Sequence, residues 1–186
     1  MIKQNYQGYL LAAHPKRQDP ILSKSVILIM DHDRHGAIGL QINKMFDSDV
    51  NFETVMNNMG LDCHDNRPLY FGGILCNNRI NVIHSLDWYS SNTTKLSNNL
   101  GISHDVSVLA AISRNEGPEY YRVVAGFHKW LPNHLEGEIS GEGSWDITHT
   151  WSTVPATIEN VFEQDGLEHW HSVIAENSRL QVSNWF

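Results

Sequence analysis

With 186 residues, 41% of them hydrophobic and 10% aromatic, the chain has the material for a sizeable core, since a domain near this size buries roughly 70% of the surface its unfolded form exposes. Thirteen Lys and Arg against 21 Asp and Glu leave a formal charge of -8, and the densest basic run, Lys16-Arg17, is a dipeptide; direct nucleic-acid binding, which needs clustered cations to displace phosphate counterions, is disfavoured. No run approaches the ~18 apolar residues that cross a bilayer, and Tyr9 to Ala13 is too short for a signal peptide, so one cytoplasmic domain over residues 1–186, away from membranes, is the expectation.

Gly8 to Ala13 reads as a strand that closes at His14-Pro15, because the residue before proline is pushed toward extended conformations, and a loop runs on through Asp19-Pro20. Ser25 to Met30 (SVILIM) is the continuous β-branched run of a strand covered on both faces. Asp31 to Gly36 reads as a tight turn and Ala37 to Asn43 as the returning strand of a hairpin. Phe52, Val55, Met56 and Met59 recur at helical spacing between Asn51, an N-cap, and Gly60, a stop. Leu69 to Phe71 enters Gly72-Gly73, and Arg79 to His84 alternates as a half-buried strand does. Asp105 to Ile112 predicts a second helix, Tyr120 to Phe127 a strand, and Leu135 to Ile139 a short helix after Pro132-Asn133. Ser144 to Thr150 is read as a last strand, and Ile158 to Phe162 and Leu167 to Ala175 as helices separated by Asp165-Gly166. Strands and helices mix without strict alternation, which predicts an α+β domain with a curved, largely antiparallel sheet and several short helices.

The chemistry-bearing motifs are sparse. There is no GxGxxG, GxxxxGK[ST], GxSxG, HExxH or SxxK pattern, so no nucleotide loop or common hydrolase signature is present and no cofactor is expected. Cys63 and Cys76 lie thirteen positions apart, without metal-knuckle spacing, and read as two buried or half-buried thiols. The eleven histidines are scattered and read mostly as surface residues. Three clusters contain acceptable metal ligands. Asp31, His32, Asp33 and His35 suit a solvated turn. His128, His134, Glu136 and Glu138 surround the third helix, where capping and solvation explain the acids. His169 and His171 point to different helix faces. Glycine beside aromatics at Gly36-Ala37-Ile38-Gly39, Phe71-Gly72-Gly73 and Gly126-Phe127-His128-Lys129-Trp130 suits either a tightly curved sheet or a groove for a peptide or small molecule. Trp130 can wall that groove or plug the core against Leu135 and Ile139.

Together these segments resemble a known family. Gly8-Tyr9-Leu10-Leu11-Ala12-Ala13-His14-Pro15 with Asp19-Pro20, Ser25 to His32, Gly36 to Lys44, Tyr70-Phe71-Gly72-Gly73, Gly126 to Trp130, Leu135 to Ile139 and Trp145 follow in the order of the YqgE/AlgH family. The resemblance implies a single compact α+β domain with a partly barrel-like sheet in bacterial cytoplasm, and a proposed link to transcriptional control of exopolysaccharide synthesis. It carries over no catalytic residue. Ile74, Met45 and Asn133-His134 depart from the family pattern, and these changes fall on the groove. The expected site is therefore a non-catalytic binding groove of Gly36, Gly39, Asn43, Gly72, Gly73, Trp130, His134 and Glu136, its partner an unidentified protein or small molecule. The rival reading is a metal-dependent hydrolase that uses His128, His134 and Glu136.

Overall fold

A computed structural model describes residues 4–46, 50–63, 67–141 and 146–183. One curled, half-barrel sheet runs through them in the order β6-β7-β5-β8-β3-β2-β1-β9. Its strands are β1 (Tyr9–Ala13), β2 (Val26–Asp33), β3 (Gly36–Gln41), β4 (Leu69–Phe71), β5 (Leu75–Ser85), β6 (Thr94–Lys95), β7 (Leu100–Ser103), β8 (Tyr121–Trp130) and β9 (Trp151–Pro155). Among the described residues five α-helices accompany them: α1 (Phe52–Asn58), α2 (Val106–Ser113), α3 (His134–Ser140), α4 (Ile158–Phe162) and α5 (Gly166–Ser183). Every pairing along the path is antiparallel; β4 alone pairs parallel, with β8. The expected α+β class with a curved, partly barrel-like sheet is what the chain adopts.

The uninterrupted apolar runs of β1 and β2 have a direct cause, because both faces of the sheet are covered. Leu10, Ala12, Val26 and Leu28 join one core with Val154, Trp170 and Val173 beneath α5. The residues between them, Leu11, Ala13, Ile27 and Ile29, enter another core with Trp130, Trp151 and Leu135 beneath α3. At the far end of that second face, Val82, Val123 and Ala125 pack with Phe52, Met56 and Leu109 of α1 and α2. Period-two alternation thus sends consecutive residues into separate cores. Asn51 caps α1 as read, its Oδ1 accepting from Thr54 N–H at 2.9 Å, and Thr157 with Asn160 forms a reciprocal capping box at the start of α4.

Several expectations are corrected. The hairpin turn shrinks to Arg34-His35, since β2 continues to Asp33. A bulge sets Ile29 and Asp31 against Gly39 and Ile38, two residues on β2 for one on β3, and the extra residue reverses the alternation. His32 consequently faces the core rather than solvent. The last strand is Trp151–Pro155 and not Ser144 to Thr150: Ile147–His149 forms a 3-10 turn, and Ser144 and Trp145 lie outside the described residues. Strands β6 and β7 were not anticipated. Cys63 is buried as read, whereas Cys76 is exposed. His84, His128 and His169 are buried like His32, while His14, His35, His104, His134, His149 and His171 stay exposed or half-buried, as the reading of most histidines as surface residues expects.

Candidate functional site

The expected groove residues divide between places: Gly72 and Gly73 lie where β4 wedges between β8 and the chain leaving β3, Gly36, Trp130 and Glu136 lie about the hairpin end and α3, and Asn43 lies between β2 and the start of α5. Gln41 N–H donates to the Gly72 carbonyl at 2.9 Å, and Gly72 N–H to the Ala125 carbonyl at 2.7 Å. A Cβ on Gly72 would strike the Gly126 and Ala125 carbonyls, and one on Gly73 the backbone of Phe127 and His128; these glycines exist there to let backbones touch. Gly39 is filled against by Ile27, Ile29 and Trp130. Asn43 is a bracket: Oδ1 accepts from Val26 N–H at 2.8 Å, and Nδ2 donates to the Lys24 and Gly166 carbonyls, each at 2.9 Å. Gly36 ends the hairpin turn at φ 124° beside the Trp130 carbonyl.

Trp130 is 7% exposed and packs within a core. Its indole N–H donates to Glu138 Oε2 at 3.2 Å, and the Trp151 indole donates to the same oxygen at 2.6 Å. Glu138 is therefore an internal acceptor rather than a solvated acid. Glu136 Oε1 stands 3.2 Å from His32 Nε2, while His32 Nδ1 accepts from Tyr6 N–H at 3.0 Å, which places the ring proton on Nε2, toward Glu136. His134 is exposed at the start of α3. Among the described residues no three His, Cys, Asp or Glu side chains converge to hold a metal, so the set proposed for the hydrolase, His128, His134 and Glu136, does not assemble there. His169, read as solvent-facing, is buried where α5 meets the sheet.

What lies between the two cores of that second face is polar. Gln41 and His128 are both buried, joined through Oε1 and Nε2 at 3.3 Å, and Gln41 Nε2 finds no partner among the described residues. Phe71 meets the His128 ring edge-on with centroids 6.5 Å apart, and Trp130 flanks it at 6.4 Å. Two cations belong to this seam. Lys44 Nζ donates to the Ile21 carbonyl at 2.7 Å, and Arg17 lies 4.9 Å above the Trp151 ring while bonding Asp19 at 2.6 Å. Burial lowers the Lys44 pKa, with Asp19 opposing. Burial, then the charges of Lys44 and Arg17, push His128 down to about 4, so its imidazole is neutral near pH 7. The seam presents a neutral ring, an open amide donor and two cations, of which Arg17 is already paired with Asp19, and the remaining Lys44 charge suits an acceptor-rich or singly anionic group. Lys44, Arg17 and Gln41 were missed in the sequence, although Gln41 between Leu40 and Ile42 was a signal, as a polar residue inside an apolar strand.

The comparisons agree with this architecture. Residues 10–179 match the AlgH-like family model. A UPF0301 protein of Methylococcus capsulatus is 31% identical over 169 residues, covering 90% of this chain and 88% of that protein; one of Laribacter hongkongensis is 30% identical over 172 residues, covering 89% and 87%. The solution structure of the AlgH protein from Pseudomonas aeruginosa superposes with a TM-score of 0.73 at 26% identity, over 95% of this chain and 92% of that one. The crystal structure of a Corynebacterium diphtheriae protein shares the fold, with a TM-score of 0.71 at 22% identity over 92% and 86%. On this evidence the chain belongs to the AlgH-like family.

Proposed function

We propose that the chain acts as one non-catalytic binding or regulatory domain, and that its partner engages the seam of Arg17, Gln41, Lys44 and His128 beside Phe71 and the Gly72-Gly73 crossing. The observation that carries this reading is the buried Gln41-His128 pair, two polar side chains placed between apolar cores where a close-packed sheet would otherwise continue, with Gln41 Nε2 left open. A buried donor without a partner is costly, by about 1–3 kcal/mol, and calls for a water, an ion or another group to complete its bonding. The expected groove is narrowed accordingly, with Gly36, Gly39, Asn43, Gly72, Gly73 and Trp130 as its framework. A role in transcriptional control, the finer form of this reading, runs through a protein or small-molecule contact, since net charge is -8 and Lys and Arg form no stripe.

The test is affinity capture from cell extract with mass spectrometry of proteins and small molecules, comparing the wild type with an Arg17→Gln/Lys44→Gln double variant. Species bound at the seam should disappear from the variant while its circular dichroism is unchanged. A folded variant that retains every captured species would refute the assignment. Stoichiometric zinc or manganese lost on His134→Ala, together with hydrolase activity, would instead restore the enzymatic reading.

A further inference from the structure

The chemistry of the seam's ligand, which rests on the binding reading above, follows from the charges and bonds left over there. Lys44 Nζ donates to the Ile21 carbonyl at 2.7 Å and more loosely to that of Pro20 at 3.5 Å. Both acceptors are neutral, so these bonds hold the ammonium in place without balancing its charge. The carboxylate that acts on Lys44 is Asp19, and both its oxygens are engaged elsewhere: Oδ2 with the Arg17 guanidinium at 2.6 Å, and Oδ1 with the Leu22 N–H at 2.7 Å. Two cations against one carboxylate leave the seam with a single positive charge in excess, on a chain whose net charge is -8.

Gln41 supplies a second point of attachment. Its side chain is fully buried, its Oε1 is taken by His128 Nε2, and its Nε2 has no partner. The Lys44 charge acts on the same His128 ring, so ammonium and amide both lie near it. A flat apolar surface adjoins them. Ring contacts run from Phe46 through Phe71, His128 and Trp130 to Trp151, with successive centroids 5.6, 6.5, 6.4 and 6.3 Å apart. Phe46 and Phe71, at one end of this row, are only half-buried.

These features discriminate among ligands. A phosphate dianion brings two charges against one and meets the Asp19 carboxylate, while the ammonium of a zwitterion finds both Asp19 oxygens occupied. A neutral amide leaves the Lys44 charge unbalanced, and a hydrocarbon leaves the Gln41 donor open as well. A carboxylate carries one charge on two oxygens, one for each donor, and an aromatic body packs on the half-buried rings with few rotatable bonds.

We propose that the seam binds a small aromatic monocarboxylate of the benzoate type, one oxygen on Lys44 Nζ and the other on Gln41 Nε2, its ring against Phe71 and Phe46. Gln41 is shut off from solvent in the free protein, so entry turns the half-buried Phe71 ring aside, a side-chain change of the kind that commonly accompanies binding.

Titration calorimetry of the full chain near neutral pH with benzoate, benzamide and phenyl phosphate tests this, together with nitrogen-15 NMR of the side-chain amides. Benzoate should bind saturably in the millimolar range or tighter, and the other two about tenfold or more weakly, for want of a matched charge. The Gln41 side-chain amide signal, identified by its loss in Gln41→Met, should shift with the same dissociation constant. Lys44→Gln, which keeps a donor at a half-buried position, should retain the wild-type circular dichroism and lose the preference for benzoate over benzamide. Absence of saturable benzoate binding, a Gln41 amide signal that does not move, or equal binding of benzoate and benzamide by the wild type would overturn the proposal. The seam reading itself falls by a separate result, the capture of every species by the folded Arg17→Gln/Lys44→Gln variant.

Discussion

Glu138 accepts both the Trp130 and Trp151 indole N–H groups on one oxygen, so removing it leaves two mostly buried donors unpaired. Glu138→Ala should destabilise by about 2 kcal/mol or more, and Glu138→Gln, which keeps an acceptor, by about 1 kcal/mol; urea unfolding followed by tryptophan fluorescence measures both. Gly36 gives a sharper case. At φ 124° with the Trp130 carbonyl against its α-carbon, it has no room for a side chain and a backbone geometry that L residues rarely adopt. Gly36→Val should cost more than about 1 kcal/mol, and an unchanged melting temperature would contradict this account. The demand at Gly36 was legible in the sequence, because a short polar turn between two apolar runs calls for a glycine. The role of Glu138 was not, since its partners sit 8 and 13 residues away on two strands whose pairing had to be known first.

At the scale of elements, local signals told truly where local energetics decide. Asn51 caps α1 as its position suggested, and Asp105, read as the first residue of the second helix, caps α2; Asp105→Ala should destabilise by about 1 kcal/mol, with faster amide exchange confined at first to α2. Where tertiary pairing decides, the sequence was silent. Leu100–Ser103 sits in a Ser- and Asn-rich stretch that reads as loop, and becomes a strand because β5 supplies a ladder from Val82 to Ser85. Arg122, inside the apolar run Tyr121–Ala125, was a visible anomaly, yet its acceptors Ile42 and Gln164 are 80 and 42 residues distant. That arginine ties β8 to the chain after β3 and to the segment before α5. Arg122→Met, similar in length and without charge, should be tolerated better than Arg122→Ala, which also opens a void; comparing their denaturation midpoints decides.

For the whole molecule, the buried histidines give stability a pH dependence. Burial first, then Lys44 and Arg17, lower His128 to about 4, and burial, then Arg122, lower His169 likewise; in the unfolded chain each titrates near the ordinary value of about 6.5. The unfolded chain therefore binds more protons between these values. Stability should be complete above about pH 6.5, fall as pH drops toward 4, and lose no more on this account below that. Thermal melts across the window measure the slope, and His128→Gln should flatten it; identical profiles would contradict the assignment. The pairing of β1 with both β2 and β9, residues 9–13 against 151–155, bears on how the chain emerges from the ribosome. Until residue 155 is made, β1 presents an unpaired apolar edge, which is a template for association with other chains. Nascent chains stalled before Trp151 should therefore need chaperone protection that chains extended past α5 do not, and synthesis speed between β8 and β9 becomes a determinant of yield.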